Sequence, residues 1–462
     1  MVSTLQTIIV FMIVLGAMIV IHEFGHFIVA KFFGIRVDVF SVGFGKRLWG
    51  VKKGDTDYRV SLIPLGGYVK MCGENLDEQR TGEPYEFMSK PKWQRFCVAV
   101  AGPAMNILTA LAIPAAMAMI HYEVPAYVDK PALVHGVERD SPAEQAGLQP
   151  GDLIQRVNGT ENPTWQEVLD QVAVNADQDV TVLIKRASET KQVTMHVTSR
   201  PLEQEKMGYS GLKPAEERLT VLIVSPGSPA AEAGLKVGDN IVSVNGIPID
   251  QSRRGAEDVI RQIRGSLDKP ITLTVNRDNT TLDITASPRS DAGEARLGFR
   301  QDSTFEMINQ RLSLPAAIKV SINENIRIIQ LTRTALAQVF VGKRSARDTL
   351  TGPIGIAQIA GDAAQQGWGE VIRLTGLLSL NLGVFNLLPI PVLDGGLIFM
   401  LLLESVLGVF GLPLSLRIKE RMMQVGLVML MLLMGFVIFN DISKRIPGRS
   451  PAPTQQEQPA NK

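Results

Sequence analysis

The chain has 462 residues, 45% hydrophobic and 20% charged, with a formal net charge of +1. So even a balance gives no footprint of a nucleic-acid partner, and two cysteines, Cys72 and Cys97, are too few for a disulfide framework. The averages hide a division: residues 1–120 and the last 90 are strongly apolar, whereas 125–310 have the composition of a soluble protein.

Four stretches approach the ~20 residues needed to cross a bilayer: Thr4–Phe33, Phe96–Ile120, Val371–Leu403 and Met422–Phe439. The first is not read as a cleaved signal peptide, because no basic residue precedes it and its apolar run ends in His-Glu. Residues 18–33 of this span read MIVIHEFGHFIVAKFF. Ionisable groups in hydrocarbon cost a few kcal/mol each and mark working sites. His22 and His26 project from one helix face within reach of one ion, and Glu23 is placed to take a proton from water. This is the HExxH arrangement of zinc peptidases. Two histidines bonding across a helix bundle would explain neither the glutamate nor the spacing.

Lys31, Arg36, Lys46, Arg47, Lys52, Lys53 and Arg59 follow the first span, and Lys90, Lys92 and Arg95 precede the second. With Arg417, Lys419 and Arg421 between the last two spans, these charges place both loops in the cytoplasm and the termini and soluble middle outside. Lys444-Arg445 and the basic stretch Arg333–Arg347 run against this rule. In the first loop, YRVSLIPLGGYVKM (58–71) has two β-prone runs around Pro64-Leu65-Gly66-Gly67 and predicts a hairpin with an exposed edge.

The soluble middle repeats. GVERDSPAEQAGLQPGDLIQRVNG (136–159) returns as IVSPGSPAAEAGLKVGDNIVSVNG (223–246), with Ser141-Pro142-Ala143, Ala146-Gly147-Leu148, Gly151-Asp152 and Asn158-Gly159 each recurring 87 residues later. A period this long means two copies of a small domain. In each, SPA opens a short helix ending at glycine, a Gly-Asp turn feeds an alternating strand, and a second helix (Trp165–Ala173; Gly255–Arg264) with two more strands follows. These signatures resemble permuted PDZ domains. By that resemblance Gly211, Leu212, Gly298 and Phe299 occupy the loops that receive a peptide carboxylate. Peptide binding and mere obstruction of access both remain open. Residues 313–340 carry Leu314, Ile318, Ile322, Ile326, Ile329 and Leu336 at helical spacing, the pattern of an amphipathic helix on a membrane surface.

In the third span, NLGVFNLLPIPVLDGG (381–396) sets Asp394 in apolar surroundings after Pro389 and Pro391 and before two glycines. Such residues unwind a span, which a membrane tolerates only where protein or a water cavity receives the backbone. His22 lies about 18 residues, or ~27 Å of helix, from the outer end of its span, and Asp394 21–23 residues from Val371 or Arg373. Both therefore fall near the cytoplasmic leaflet and could share an ion, with one position left for water. A helix cap is the alternative for Asp394. His121, His135 and His196 lie outside reach. Two imidazoles and a carboxylate admit zinc, iron or cobalt.

HEFGH and LDGG on separate spans, with tandem PDZ signatures between them, resemble the site-2 protease family of the regulator of sigma-E protease type. FSVGFGKRLWG (40–50), PLGGYVKM (64–71) and AGPAMN (101–106) extend the likeness along nearly the whole chain; Leu397 departs from it, standing where some relatives carry histidine. The resemblance implies a polytopic α-helical membrane protein: four transmembrane helices, a membrane-associated β-hairpin and two inserted α+β PDZ domains. It further implies one Zn2+ held by His22, His26 and Asp394, with Glu23 as general base. Substrate would be held by Asn386, Pro389, Pro391, Gly66, Gly67 and Tyr68. Expected partners are membrane lipids, a single-span anti-sigma factor already trimmed by a periplasmic protease, and remnant signal peptides. The expected setting is the bacterial inner membrane, with the PDZ domains periplasmic and the active site near the cytoplasmic side. The expected domains are 1–124 (first membrane part), 125–214 and 215–304 (PDZ), 305–350 (surface helix and linker), 351–446 (second membrane part) and 447–462 (disordered tail). Two rivals are a membrane scaffold with a structural metal and a divalent-metal transporter. The transporter calls for ionisable positions along a path, and Met422–Phe439 offers none.

Overall fold

The computed structural model describes residues 4–443 except 75–80, 203–204, 252, 278–279, 292–293, 411 and 413–414; the tail 447–462 lies outside the described residues. The chain forms two units, Met1–Ile120 with Arg311–Lys462, and His121–Gln310.

The first unit comprises helix α1 (Thr4–Phe32), strands β1 (Val37–Lys53) and β2 (Thr56–Met71), and helix α2 (Lys92–Ile120). After the second unit come α3 (Leu314–Phe340), α4 (Pro353–Gln366), α5 (Trp368–Asn386), α6 (Asp394–Val409) and α7 (Leu416–Ser443). Among the described residues three helices are long and apolar enough to cross a membrane: Leu5–Phe32, Lys92–Ile120 and Arg417–Ser443. The stretch Val371–Leu403 is not one helix but α5 and α6 joined by residues 387–393. Pro389 and Pro391 cannot donate to a helical ladder. The linker instead folds back on α6, where a Cβ on Gly395 would stand 2.1 Å from the Leu388 carbonyl oxygen and one on Gly396 2.4 Å from that of Ile390. Val392 in this linker has φ 89°, a left-handed value that is costly for a β-branched residue.

The hairpin departs from expectation. Its turn is at Gly54-Asp55, not at Pro64-Leu65-Gly66-Gly67, and its partner strand is β1. Val39, Phe40, Ser41 and Val42 each lie opposite two residues of β2, one from 57–60 and one from 67–70. β2 therefore bends and lines both sides of the first half of β1. Gly66 has φ 116°, which supplies the bend. Among the described residues, segment 67–71 becomes an edge.

Helix α2 contains Pro103 and Pro114. Pro114 has no N–H for the Ala110 carbonyl, and Asn325 Nδ2 of α3 donates to that oxygen at 3.1 Å. Ser321 Oγ donates to the next carbonyl, Leu111, at 2.7 Å. The polar face of α3 thus turns inward, while Leu314, Ile318, Ile322, Ile326 and Ile329 are exposed. At the start of α4, the amides of Gly352, Ile354 and Gly355 donate to the buried Asp441 carboxylate of α7 at 3.0–3.1 Å. A carboxylate there satisfies orphan donors at the positive end of the helix.

The second unit holds two copies of one α+β fold, each with its own core. The first is built on Trp165, Val182, Ile184 and Met195, the second on Leu219, Ile241, Ile271 and Leu273. Ser141 and Ser228 cap the short SPA helices, accepting from the amides of Glu144 and Ala231. The recurring Asp152 and Asp239 are buried and accept two bonds each, from Arg186 (2.7 and 2.8 Å) and Arg277 (2.6 and 2.6 Å). Each arginine also donates to the carbonyl of the glycine ending the SPA helix, Gly147 or Gly234, at 2.8 Å. Strand Tyr122–Pro125 pairs with Met307–Gln310 and closes the unit.

Burial alone would raise the Asp239 pKa, but bonds from Arg277 and the Lys236 amide outweigh it and hold the carboxyl below its ordinary value. The pair's contribution is therefore complete above the unfolded value of about 3.9 and is lost as pH falls through the folded one. Asp239→Asn is expected to destabilise its domain by about 2 kcal/mol near neutral pH, because it breaks a buried pair whose arginine is partly exposed. In denaturant titrations the gap from wild type should close below about pH 4; a gap unchanged at pH 3 would refute the assignment.

Candidate metal centre

Helix periodicity puts His22 and His26 on the side of α1 that faces α2, and the unwound linker delivers Asp394 on the first turn of α6. His22 Nε2 lies 3.0 Å from Asp394 Oδ2, His26 Nε2 3.3 Å from Asp394 Oδ1, and the two Nε2 atoms 3.2 Å apart. Ligand atoms about 2.0–2.1 Å from one tetrahedral ion stand about 3.3 Å from each other, so the set fits a single zinc-sized cation. Among the described residues this trio alone groups three such ligands.

Second contacts support the fit. His26 Nδ1 meets the Val98 carbonyl at 2.7 Å and can donate only, which leaves its Nε2 lone pair for an ion. Asn106 Nδ2 lies 3.1 Å from His22 Nδ1; a metal on Nε2 would require the proton on Nδ1 and the carboxamide turned to present its oxygen there. Ser379 of α5 donates to the Asn106 backbone carbonyl at 3.0 Å. A Cβ on Gly102 would reach within 2.3 Å of His26 Nε2 and 2.8 Å of His22 Nε2, and one on Gly25 within 2.3 Å of the Ala101 carbonyl oxygen. These two glycines allow α1 and α2 to approach closely enough for α2 to brace the imidazoles.

The donors line a cavity of 310 Å³ shared with Glu23, Tyr68, Val69, Met71, Glu74, Asn386 and Val392. Glu23 Oε2 accepts from the Val69 amide at 3.0 Å. Asn386 Nδ2 is 3.4 Å from His22 Nε2. Gly66 packs under Ile19 and Phe44, Gly67 against the Ser41 carbonyl, and Tyr68 bonds Arg59 and stacks on Phe44. Pro389 is in the linker; Pro391 lies against Gly426 of α7, where a Cβ would come within 2.4 Å of its carbonyl oxygen. In the second unit, Gly211 and Gly298 adopt φ 77° and 80°, which glycine alone takes without strain. Gly298 and Phe299 line a 540 Å³ groove beside helix Arg253–Arg264, with Ile260, Ile263 and Arg264 on its far wall. Leu212 is buried in the first copy's core.

Sequence reasoning missed Asn106, Gly102, the Val98 carbonyl and Glu74. The first two lie in or beside AGPAMN, but nothing in their spacing announces a contact with histidines some 80 residues earlier.

A family model described as Peptidase family M50 matches residues 10–433. The chain is 33% identical over 468 residues to "Regulator of sigma-E protease RseP" of Salmonella typhimurium (strain 14028s / SGSC 2262), covering 96% of this chain and 100% of that one. It is 32% identical over 469 residues to the protein of the same name in Escherichia coli (strain K12), with the same coverage. A "Putative zinc metalloprotease" of Vibrio cholerae is 31% identical over 467 residues, covering 96% and 100%.

Because the Gly102 Cβ position is already filled by imidazole, Gly102→Ala is expected to lower bound zinc at least tenfold in the purified chain, measured by elemental analysis after dialysis. Ala101→Gly, one residue away, should keep its metal. Full occupancy in Gly102→Ala would refute the packing argument.

Proposed function

Because this chain belongs to peptidase family M50, it is a zinc-dependent metalloprotease embedded in a membrane, and we propose that it cuts the transmembrane segment of single-span proteins within the bilayer. The observation that carries this reading is the joint approach of His22, His26 and Asp394 beside Glu23, with both histidines on a helix long and apolar enough to cross a membrane. Water is scarce there and a peptide bond is inert, so a metal is the economical source of a nucleophile. Zinc supplies Lewis acidity, bringing the pKa of water to about 7.

The chain's own residues do the rest. His22, His26 and Asp394 hold the ion. Glu23 takes the proton of the attacking water and returns it to the departing amine. The 67–71 edge pairs with the substrate once its helix has unwound, because a helix keeps its own amides engaged and an added strand re-engages them. Asn386, beside His22 and able to donate and accept, steadies the substrate backbone. Pro389 and Pro391 set the linker that carries Asp394, and Gly66, Gly67 and Tyr68 shape the paired edge.

The substrate class is an anti-sigma factor previously trimmed by a periplasmic protease, a reading supported by relatives named for sigma-E regulation; remnant signal peptides fit the same site. The proposed setting is a bacterial inner membrane crossed four times, with the α5–α6 pair as the third crossing and lipid around the apolar faces. The basic loops favour a cytoplasmic site and periplasmic repeats. The repeats are read as PDZ domains, and the open groove at Gly298 and Phe299 suits the carboxyl end left by a prior cut.

Glu23→Gln removes the base and no metal ligand. Cleavage of a model single-span substrate should fall at least a thousandfold, with one zinc per chain still bound. Retained cleavage, or lost zinc, would overturn the assignment and favour a scaffold with a structural metal.

A further inference from the structure

Segment 67–71 of β2 is bordered on one side by β1, with Val42, Ser41, Phe40 and Val39 facing Gly67, Tyr68, Val69 and Lys70. Its other side faces the metal cavity, which Tyr68, Val69 and Met71 line. Peptide groups alternate along a strand, so amides two residues apart point the same way. Val69 N–H points to this free edge, and it donates to Glu23 at 3.0 Å. Met71 N–H, two residues on, points the same way and donates to Glu74 Oε2 at 3.3 Å. Two donors that an added strand would use, those of Val69 and Met71, are therefore held by carboxylates, and one of these carboxylates is the proposed general base.

We propose that Glu74 is a positioning residue of the active site: with Glu23 it caps the free edge of β2, and a substrate strand pairs there only by displacing both carboxylates. This rests on the reading of 67–71 as the substrate edge. The exchange has a chemical consequence. A substrate carbonyl that replaces Glu23 on the Val69 amide lies beside the metal donors, and the same replacement releases Glu23 Oε2, making the carboxylate a stronger proton acceptor. Correct pairing and availability of the base are thus one event. The Glu74 cap one pair further along adds a second contact that a mispaired segment cannot displace. It also covers donors that would otherwise sit unsatisfied in a low-dielectric cavity between turnovers.

The test uses the full zinc-loaded chain in lipid nanodiscs and a fluorogenic single-span peptide. Glu74→Ala removes the competing acceptor, so KM should fall about three- to tenfold, the size of one net hydrogen bond, with the effect on KM and not on kcat. Glu74→Gln keeps an acceptor oxygen and should restore a KM near wild type. Glu74→Asp, too short to reach Met71, should behave like alanine and serves if the alanine variant loses zinc. An unchanged or raised KM in zinc-replete Glu74→Ala or Glu74→Asp overturns the proposal, as does loss of zinc in both. A cross-link separates this from its premise. With Cys72→Ser and Cys97→Ser in place, Lys70→Cys should form a disulfide with a single-cysteine substrate in Glu23→Gln protein when a mild oxidant such as copper phenanthroline is added. A cross-link without the KM shift sinks the capping role alone; absence of any cross-link sinks the edge reading with it.

Discussion

An unpaired peptide group in hydrocarbon costs several kcal/mol, and this constraint governs several interruptions among the described residues of the membrane-embedded unit. Pro114 strips the Ala110 carbonyl of its helical donor, and Asn325 supplies one. The first turn of α4 has three orphan amides, and Asp441 receives them. The Val98 carbonyl is committed to His26. The free edge of β2 gives its amides to Glu23 and Glu74. In the last two cases the answering side chain is also part of the reactive centre. The need to satisfy backbone and the need to orient catalytic groups have the same solution.

That coincidence explains why the site is assembled from separate elements. No single helix can present two imidazoles, a carboxylate and a strand edge to one point. Gly25 and Gly102 bring α1 against α2, and the proline-bearing linker turns the start of α6 inward. Asp394 sits on the first turn of that helix, next to the two imidazoles of α1. Val392 holds a left-handed conformation nearby, so the linker carries strain that the packing of Gly395, Gly396 and Gly426 must oppose.

How far the sequence could be read follows from the range of each signal. His22, Glu23 and His26 form a local pattern fixed by helical period, and Asp394 could be joined to them because depth in a bilayer is a common coordinate for distant segments. The break between α5 and α6 was legible because proline and glycine act locally. The repeat was legible because it is a direct copy. Pro64-Leu65-Gly66-Gly67 misled for the same local reason: it looks like a turn, yet it is a bend within one strand whose partner lies upstream in β1. Asn106 and Glu74 carried no local signal, since each acts through a contact that exists only after α2 and β2 are placed.

A protease that must unwind its substrate faces an ordering problem, since a permanently free base beside an activated water would attack whatever peptide drifts near, including its own loops. An edge whose donors are taken by the base itself removes that hazard. Only a segment already extended, and therefore already out of its helix, offers a carbonyl in line with Val69 and a second in line with Met71. An intact transmembrane helix offers neither, because its carbonyls are bonded four residues along. Discrimination then rests on how readily a segment unwinds, with little demand on side-chain identity. Such a rule would let one small cavity accept varied sequences while sparing the stable spans of the surrounding membrane.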